Sequence, residues 1–317
     1  MGPPGPDGTI VGMPLIASAL VPIVLLIAMG LVLRRSRFLP EPFWPGLDRL
    51  NYWVFFPSLI FVSLAGADQG LTGTGPVGLA VWGGLAVTGG VALLVGPLVV
   101  DDGPALTSVF QGGIRFNSYV AFIVLPTLFP GSDALTALMV ALTVPVVNVA
   151  CVVVLARHAS RAPLRWRTLL TSVASNPLIL ASLLGVVAAR LAVPLGPFEA
   201  ALSTLGQASL ASGLLSVGAI LRFGTIRAAV RPIATSSALK AVVLPAATLA
   251  FATILGLPPA TTAPLVLFQA LPTAPASYVL ATAMGGDADL MAAILAVQTI
   301  AALAWLPLVF ALLGPVA

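Results

Sequence analysis

Ten stretches of apolar residues, parted only by short connections rich in arginine or in proline and glycine, occupy nearly the whole of this sequence. They fall at 14–33, 47–65, 77–100, 105–128, 134–156, 168–189, 198–221, 233–255, 261–284 and 290–313. Crossing hydrocarbon takes roughly 20 such residues in helical form. Ten crossings use up the 317 residues and leave no room for a soluble domain of ordinary size. With 59% hydrophobic and 8% charged residues and a mean hydropathy of +1.10, a water-exposed surface of normal polarity cannot be built. The expected fold class is an all-α membrane protein of ten transmembrane helices in a lipid bilayer. Cys151 is the single cysteine and lies in an apolar run, and the lone His158 sits in a basic loop, which excludes disulfides and Cys/His metal sites. No cofactor and no resident metal are expected.

Charge sets the orientation. Met1 to Gly12 hold no Lys or Arg, and Arg34, Arg35 and Arg37 follow the first apolar stretch, so span 1 reads as a reverse anchor rather than a cleaved signal peptide. The cytoplasmic connections then carry Arg34, Arg35, Arg37 and Arg49, next Arg157, Arg161, Arg165 and Arg167, and last Arg222, Arg227 and Arg231, whereas Arg190 lies outside. The net charge of +4 and the pI near 10.0 are thereby explained as topology, and no nucleic-acid partner is implied. The expectation is a multi-pass protein of the plasma membrane with both termini outside.

The halves resemble each other. Pro14-Leu15-Ile16-Ala17-Ser18 parallels Pro177-Leu178-Ile179-Leu180-Ala181-Ser182; Ser118-Tyr119-Val120 returns as Ser277-Tyr278-Val279; and Gly131-Ser132-Asp133-Ala134 returns as Gly285-Gly286-Asp287-Ala288. In the last pair each Asp is placed to N-cap the next helix, a local reason for the same letters. Five spans per half is an odd number, so a repeat of 1–160 and 161–317 makes the halves run in opposite senses, the inverted-repeat plan of secondary transporters.

Spans 9 and 4 are expected to break. In Gln269-Ala270-Leu271-Pro272-Thr273-Ala274-Pro275-Ala276-Ser277, Pro272 and Pro275 free the carbonyls of Phe268 and Leu271. Such groups cost several kcal/mol each in hydrocarbon. The stretch therefore packs as a proline kink against protein or faces a polar cavity, with Gln269, Thr273 and Ser277 as nearby donors. Span 4 carries Gln111-Gly112-Gly113-Ile114-Arg115-Phe116-Asn117-Ser118-Tyr119, a poor recipe for a continuous lipid-facing helix. Arg115 lies about 15 Å beyond the cytoplasmic start at helical rise, too deep for easy snorkelling. Every Asp and Glu maps to a span end or loop, so no mid-membrane acid is expected to pair with it, and an anion in a cavity is its expected partner. If the two breaks cross, two half-helix amino termini add positive dipole ends there. Lys240 in span 8 is either a second cation or a snorkelling one. Asn176 beside Pro177 is either a substrate contact or a local backbone partner. Asn148, Gln207, Ser209, Ser212 and Ser216 read as interhelical hydrogen-bonders.

Arg115-Phe116-Asn117, Asn176-Pro177 with Leu183-Leu184-Gly185, Ser216-Val217-Gly218 and Gln269-Ala270-Leu271-Pro272, with Lys240 in span 8, resemble the auxin efflux carrier family, which holds the plant PIN-type carriers and bacterial permeases for malate or malonate. The resemblance runs over nearly the whole chain and is best in the second half. It implies a fold like that of bile acid:sodium symporters, with spans 1, 2, 6 and 7 as scaffold and spans 3–5 and 8–10 as a mobile transport domain, and it implies a homodimer. It places Asn117 and Pro272 at the crossing and Asn176 on the scaffold side. Phe116 stands where PIN-type carriers have proline, and the long cytoplasmic loop of many plant members shrinks here to about Arg157–Arg167, so neither auxin as substrate nor regulation through that loop is supported.

Absence of a mid-membrane Asp, Glu or His disfavours carboxylate-based proton coupling, while a sodium site from carbonyl and side-chain oxygens stays open. No G-x-x-x-x-G-K motif is present, and Ser237-Ala238-Leu239-Lys240 fits S-x-x-K without its companion motifs, so neither direct ATP drive nor an enzyme is expected. The expected function is a secondary transporter of a small organic anion by elevator-type alternating access, with a sodium-coupled symporter or a passive anion channel as the alternatives. The candidate substrate-binding set is Arg115, Asn117, Ser118, Asn176, Lys240, Gln269, Pro272, Thr273, Pro275 and Ser277.

Overall fold

The structure is a computed structural model, and it describes residues 8–66, 74–159, 175, 177–221, 226 and 229–313. Helices account for almost all of these, and there are no strands among them. In chain order they are α1 (Gly8–Arg35), α2 (Phe43–Leu50), α3 (Phe56–Ala65), α4 (Thr74–Val95), α5 (Gly103–Ile114), α6 (Ser118–Leu128), α7 (Asp133–His158), α8 (Pro177–Arg190), α9 (Pro197–Ile220), α10 (Val230–Ala238), α11 (Leu244–Ile254), α12 (Pro259–Gln269), α13 (Pro275–Met284) and α14 (Ala288–Leu313). Among the described residues five segments are long and apolar enough to cross a membrane: Gly75–Leu98, Asp133–His158, Pro197–Ile220, Val230–Ile254 and Ala288–Leu313.

Two pairs of helices are continuous through a π turn. Asn51–Phe55 joins α2 to α3, and Leu239–Val243 joins α10 to α11. In each, a proline follows two residues after the turn, Pro57 and Pro245. Proline has no N–H to donate, and widening the helix by one residue re-routes the bonds around it, as when Phe56 N–H reaches the carbonyl of Asn51.

Two other pairs are interrupted. α5 stops at Ile114, and Arg115 and Asn117 are extended (ψ 152° and 103°) before α6 begins. α12 stops at Gln269, and Ala274 is extended (ψ 152°) before Pro275 opens α13. Both interruptions fall where the Gly-Gly-x-Arg and Pro-x-x-Pro strings place them. Asp102 caps α5 by accepting from Ala105 N at 2.7 Å, and Asp287 caps α14 by accepting from Leu290 N at 2.9 Å. Asp133 does not cap α7, contrary to expectation. It is the first helical residue, Ser132 holds the cap position, and no side chain bonds the free N–H groups there.

Packing sorts the helices into two neighbourhoods. α1 lies along α9 so closely that a Cβ on Gly30 would strike the Leu215 carbonyl and one on Gly218 the Ile27 carbonyl. α3 packs on α8 and α9 through Gly185 and Gly206, which receive Phe61 and Leu59. Elsewhere α4 packs on α11, α5 and α7, while α5 also meets α10, α13 and α14. Between the two neighbourhoods α6 touches α1 and α9.

Candidate functional site

The two interruptions meet. Asn117 N–H donates to the carbonyl of Pro272 at 2.7 Å, joining one break to the other through the main chain. The side chain of Asn117 turns back to cap α6, its Oδ1 accepting from Tyr119 N at 3.0 Å and Val120 N at 3.3 Å. Its Nδ2 is buried with no acceptor. Asn117, Gln269, Thr273 and Ser277 have no exposed surface, so the crossing is closed over by protein.

Of the carbonyls that the prolines free, that of Phe268 accepts from Leu271 N–H at 3.3 Å rather than from the side-chain donors expected, and neighbouring carbonyls of the break are bonded as well. Trp305 Nε1 donates to the Ala270 carbonyl at 2.9 Å, and Asn117 serves Pro272. Gln298 of α14 binds both breaks at once: its Oε1 accepts from Thr273 N at 3.0 Å, and its Nε2 donates to the Gly112 carbonyl at 3.0 Å and to Ser236 Oγ at 3.3 Å. Thr273 and Ser277 bond each other at 3.0 Å, and Gln269 Nε2 makes a long 3.5 Å bond to the Val81 carbonyl while its Oε1 has no partner. Phe116 and Phe268 stack across the crossing with ring centres 4.5 Å apart. Pro272 and Pro275 are buried, and Ser118, half-buried, opens α6. Gln298 and Trp305 were missed from sequence. A lone amide inside the apolar span 10 was the available signal for Gln298, by the rule that picked out Asn148.

Arg115 is 6% exposed. Its Nη2 donates to Asn148 Oδ1 at 3.0 Å and its Nε to Cys151 Sγ at 3.3 Å, both on α7. These partners are neutral. Among the described residues the ion pair present is Arg34–Glu41, between the last turn of α1 and the connection that follows it, so the Arg115 charge has no carboxylate against it. Asn148 is an interhelical hydrogen-bonder as expected, and Arg115 is what it bonds.

Two expectations fail on geometry. Lys240 does not snorkel: it lies in the π turn between α10 and α11, has no exposed surface, and its Nζ has no hydrogen-bond partner. The turn packs against α4 and α5, and the side chain is enclosed. Asp48 does not sit in a loop. It lies in α2, five residues after the helix begins, half-buried, where Ser216 Oγ donates to its carboxylate, and α2 continues through the π turn into α3. Asn176, the expected scaffold amide, lies outside the described residues. Asn117, Pro272 and Thr273 are brought together at the crossing, with Arg115 two residues from Asn117, while the π turn that carries Lys240 packs beside Gly113 of α5.

The described residues hold no group of three or more His, Cys, Asp or Glu able to ligate a metal. Residues 163–310 match the family model described as membrane transport protein, the domain of the auxin efflux carrier family. Over those residues, somewhat under half of the chain, the sequence is similar to the membrane transporters of that family. No curated protein matches the chain.

Proposed function

We propose that this transporter carries a small organic anion, a carboxylate, whose negative charge is received at the crossing of the α5/α6 and α12/α13 breaks. The observation that carries the reading is the state of Asn117. Its backbone N–H and its Oδ1 are both committed to structure, and Nδ2 remains a buried donor without an acceptor, two residues from an arginine that no carboxylate neutralises. A donor and a cation left over in a membrane interior fit an anionic guest. The amino termini of α6 and α13 both begin at the breaks and add positive dipole ends.

The grouping of α1, α3, α8 and α9 apart from the helices packed around α5 supports an elevator in which the second group slides against the first. Close backbone packing through Gly30 and Gly218 suits a rigid scaffold. The family gives no coupling ion, and a homodimer remains part of the proposal.

The test is ligand-dependent thermal stabilisation of the purified protein against mono- and dicarboxylates, with uncharged amides and amines of the same skeleton as controls. Stabilisation by carboxylates alone, lost in Arg115→Ala, is the expected outcome. Stabilisation by the amides as strongly as by the acids would remove the anion from the proposal.

A further inference from the structure

Asp48 is an ionisable carboxyl within a helical run that the transporter reading places in the membrane, and its bonded partner is a hydroxyl rather than a cation. One turn on, Asn51 has no exposed surface, its Oδ1 lies 2.8 Å from Ser212 Oγ, whose single proton is shared with the Ala208 carbonyl at 2.5 Å, and its Nδ2 has no acceptor. The two rungs, Asp48 with Ser216 and Asn51 with Ser212, are three residues apart on α2 and its π turn and four apart on α9, so both lie on the facing sides of the two helices. Between Ser212 and Ser216 stands Gly213, and a Cβ there would sit 2.5 Å from the ring of Tyr119. Tyr119 belongs to α6, two residues past Asn117, and its ring packs against Phe56 of α3 with centres 5.1 Å apart. The polar stripe therefore sits where the α1/α3/α8/α9 neighbourhood meets the interrupted helix.

Among the described residues no cation is paired with Asp48. Arg49 on the same helix is exposed and makes no ion pair, α9 brings only hydroxyls here with Glu199 at its opposite end, and Tyr52 of the π turn and Tyr119 of α6 are neutral phenols. Arg115 lies close enough to act electrostatically on Tyr52, but its bonds run to α7. A sodium ion would need several converging oxygens. The groups at this stripe instead present hydroxyl protons to Asp48 and Asn51 and an unpaired N–H donor, which suits a carboxyl that gains and loses a proton. Acids inside membrane spans serve as proton relays in pumps and transporters.

We propose that Asp48 is the proton-binding residue that couples transport to the proton gradient, taking a proton from the loading side and giving it to the release side as α6 moves past α9. The step moves one proton per carboxyl and no other reactant. The proposal rests on the transporter reading above.

The test uses the full-length chain in liposomes, with labelled malonate and lactate as probes, and Asp48→Asn, which keeps the shape and an acceptor for Ser216. An inward pH gradient is expected to drive uptake by the parent. In Asp48→Asn this drive is lost while exchange of internal for external label continues. Equal pH response in both proteins, or uptake that follows a sodium gradient and ignores pH, overturns the proposal and leaves the transporter reading standing. A second readout needs no substrate: on acidification, a protonated-carboxyl infrared band resolved as the difference between parent and Asp48→Asn is expected, with its pH midpoint shifted in Ser216→Ala. If neither probe moves in the parent, the carboxylate reading fails, and the band alone decides: its loss in Asp48→Asn supports the proton site and its persistence overturns it.

Discussion

Asn117 N–H and the Pro272 carbonyl, 2.7 Å apart, tie the two interrupted helices together through main chain alone. Side-chain changes at Asn117 therefore leave the join intact, and substrate handling can be separated from folding. Asp caps a helix about as well as Asn, so Asn117→Asp keeps the α6 cap, yet it replaces the free Nδ2 donor with a negative oxygen. The expected result is parent-like thermal stability with carboxylate transport reduced tenfold or more. Asn117→Ala, losing the cap, is expected to cost about 1 kcal/mol as well. Retained transport in Asn117→Asp would show that Nδ2 does not meet the substrate.

Gln298 tests the architecture of the crossing. Gln298→Leu leaves Thr273 N–H, the Gly112 carbonyl and Ser236 Oγ without the partner they have now. Each buried polar group orphaned costs about 1–3 kcal/mol in soluble proteins, and interhelical bonds in membranes average nearer ~0.6 kcal/mol. A loss of about 1–3 kcal/mol for the three together is expected, read as a lower midpoint of thermal unfolding in detergent. Unchanged stability would mean that these bonds are replaced on substitution.

Gly30 and Gly218 test the α1/α9 contact. Each faces the partner's backbone carbonyl, which cannot rotate away as a side chain can. Gly30→Val and Gly218→Val are each expected to exceed the usual ~1–3 kcal/mol of overpacking, and size-exclusion profiles should show little monodisperse protein. Gly90, where a Cβ meets nothing within 4 Å, is the matched control, and Gly90→Ala is expected to behave like the parent.

Lys240 distinguishes burial from binding. Its Nζ has no partner in a fully buried setting, and replacing an uncompensated buried charge by an apolar group of similar length is neutral or stabilising. Lys240→Met is expected to unfold at or above the parent's temperature and to reduce transport less than Arg115→Ala does. A fall in stability comparable to loss of Gln298 would show that the amine holds an interaction.

How much of this was legible beforehand depended on whether the physics was local. Proline and paired glycines break helices by their own covalent chemistry, so the interruptions at Arg115–Asn117 and Ala270–Ala274 were readable from strings of a few residues. Arg115 was readable as a cation lacking an acid for the same reason: no acidic residue lies near it in the chain, and the fold brings none to it. What the sequence hid were pairings set by packing. Gln298 and Trp305 reach across from α14, and nothing in their own segment names Gly112, Thr273 or Ala270 as partners. Asp48 looked terminal because the apolar stretch begins at residue 47, whereas the helix starts at Phe43 and runs on through a π turn that hydropathy alone does not reveal. Lys240 looked able to snorkel until the second π turn fixed its direction.

The central claim is that the crossing receives an organic anion through Arg115 and Asn117. Counterflow in liposomes tests it most directly, with unlabelled mono- or dicarboxylate inside, the same labelled acid outside, and parent compared with Arg115→Ala at matched folded protein. The account expects saturable, trans-stimulated accumulation in the parent and near-complete loss in the variant. Equal counterflow in the two proteins would contradict it, and would make Arg115 a structural partner of Asn148 and Cys151 alone.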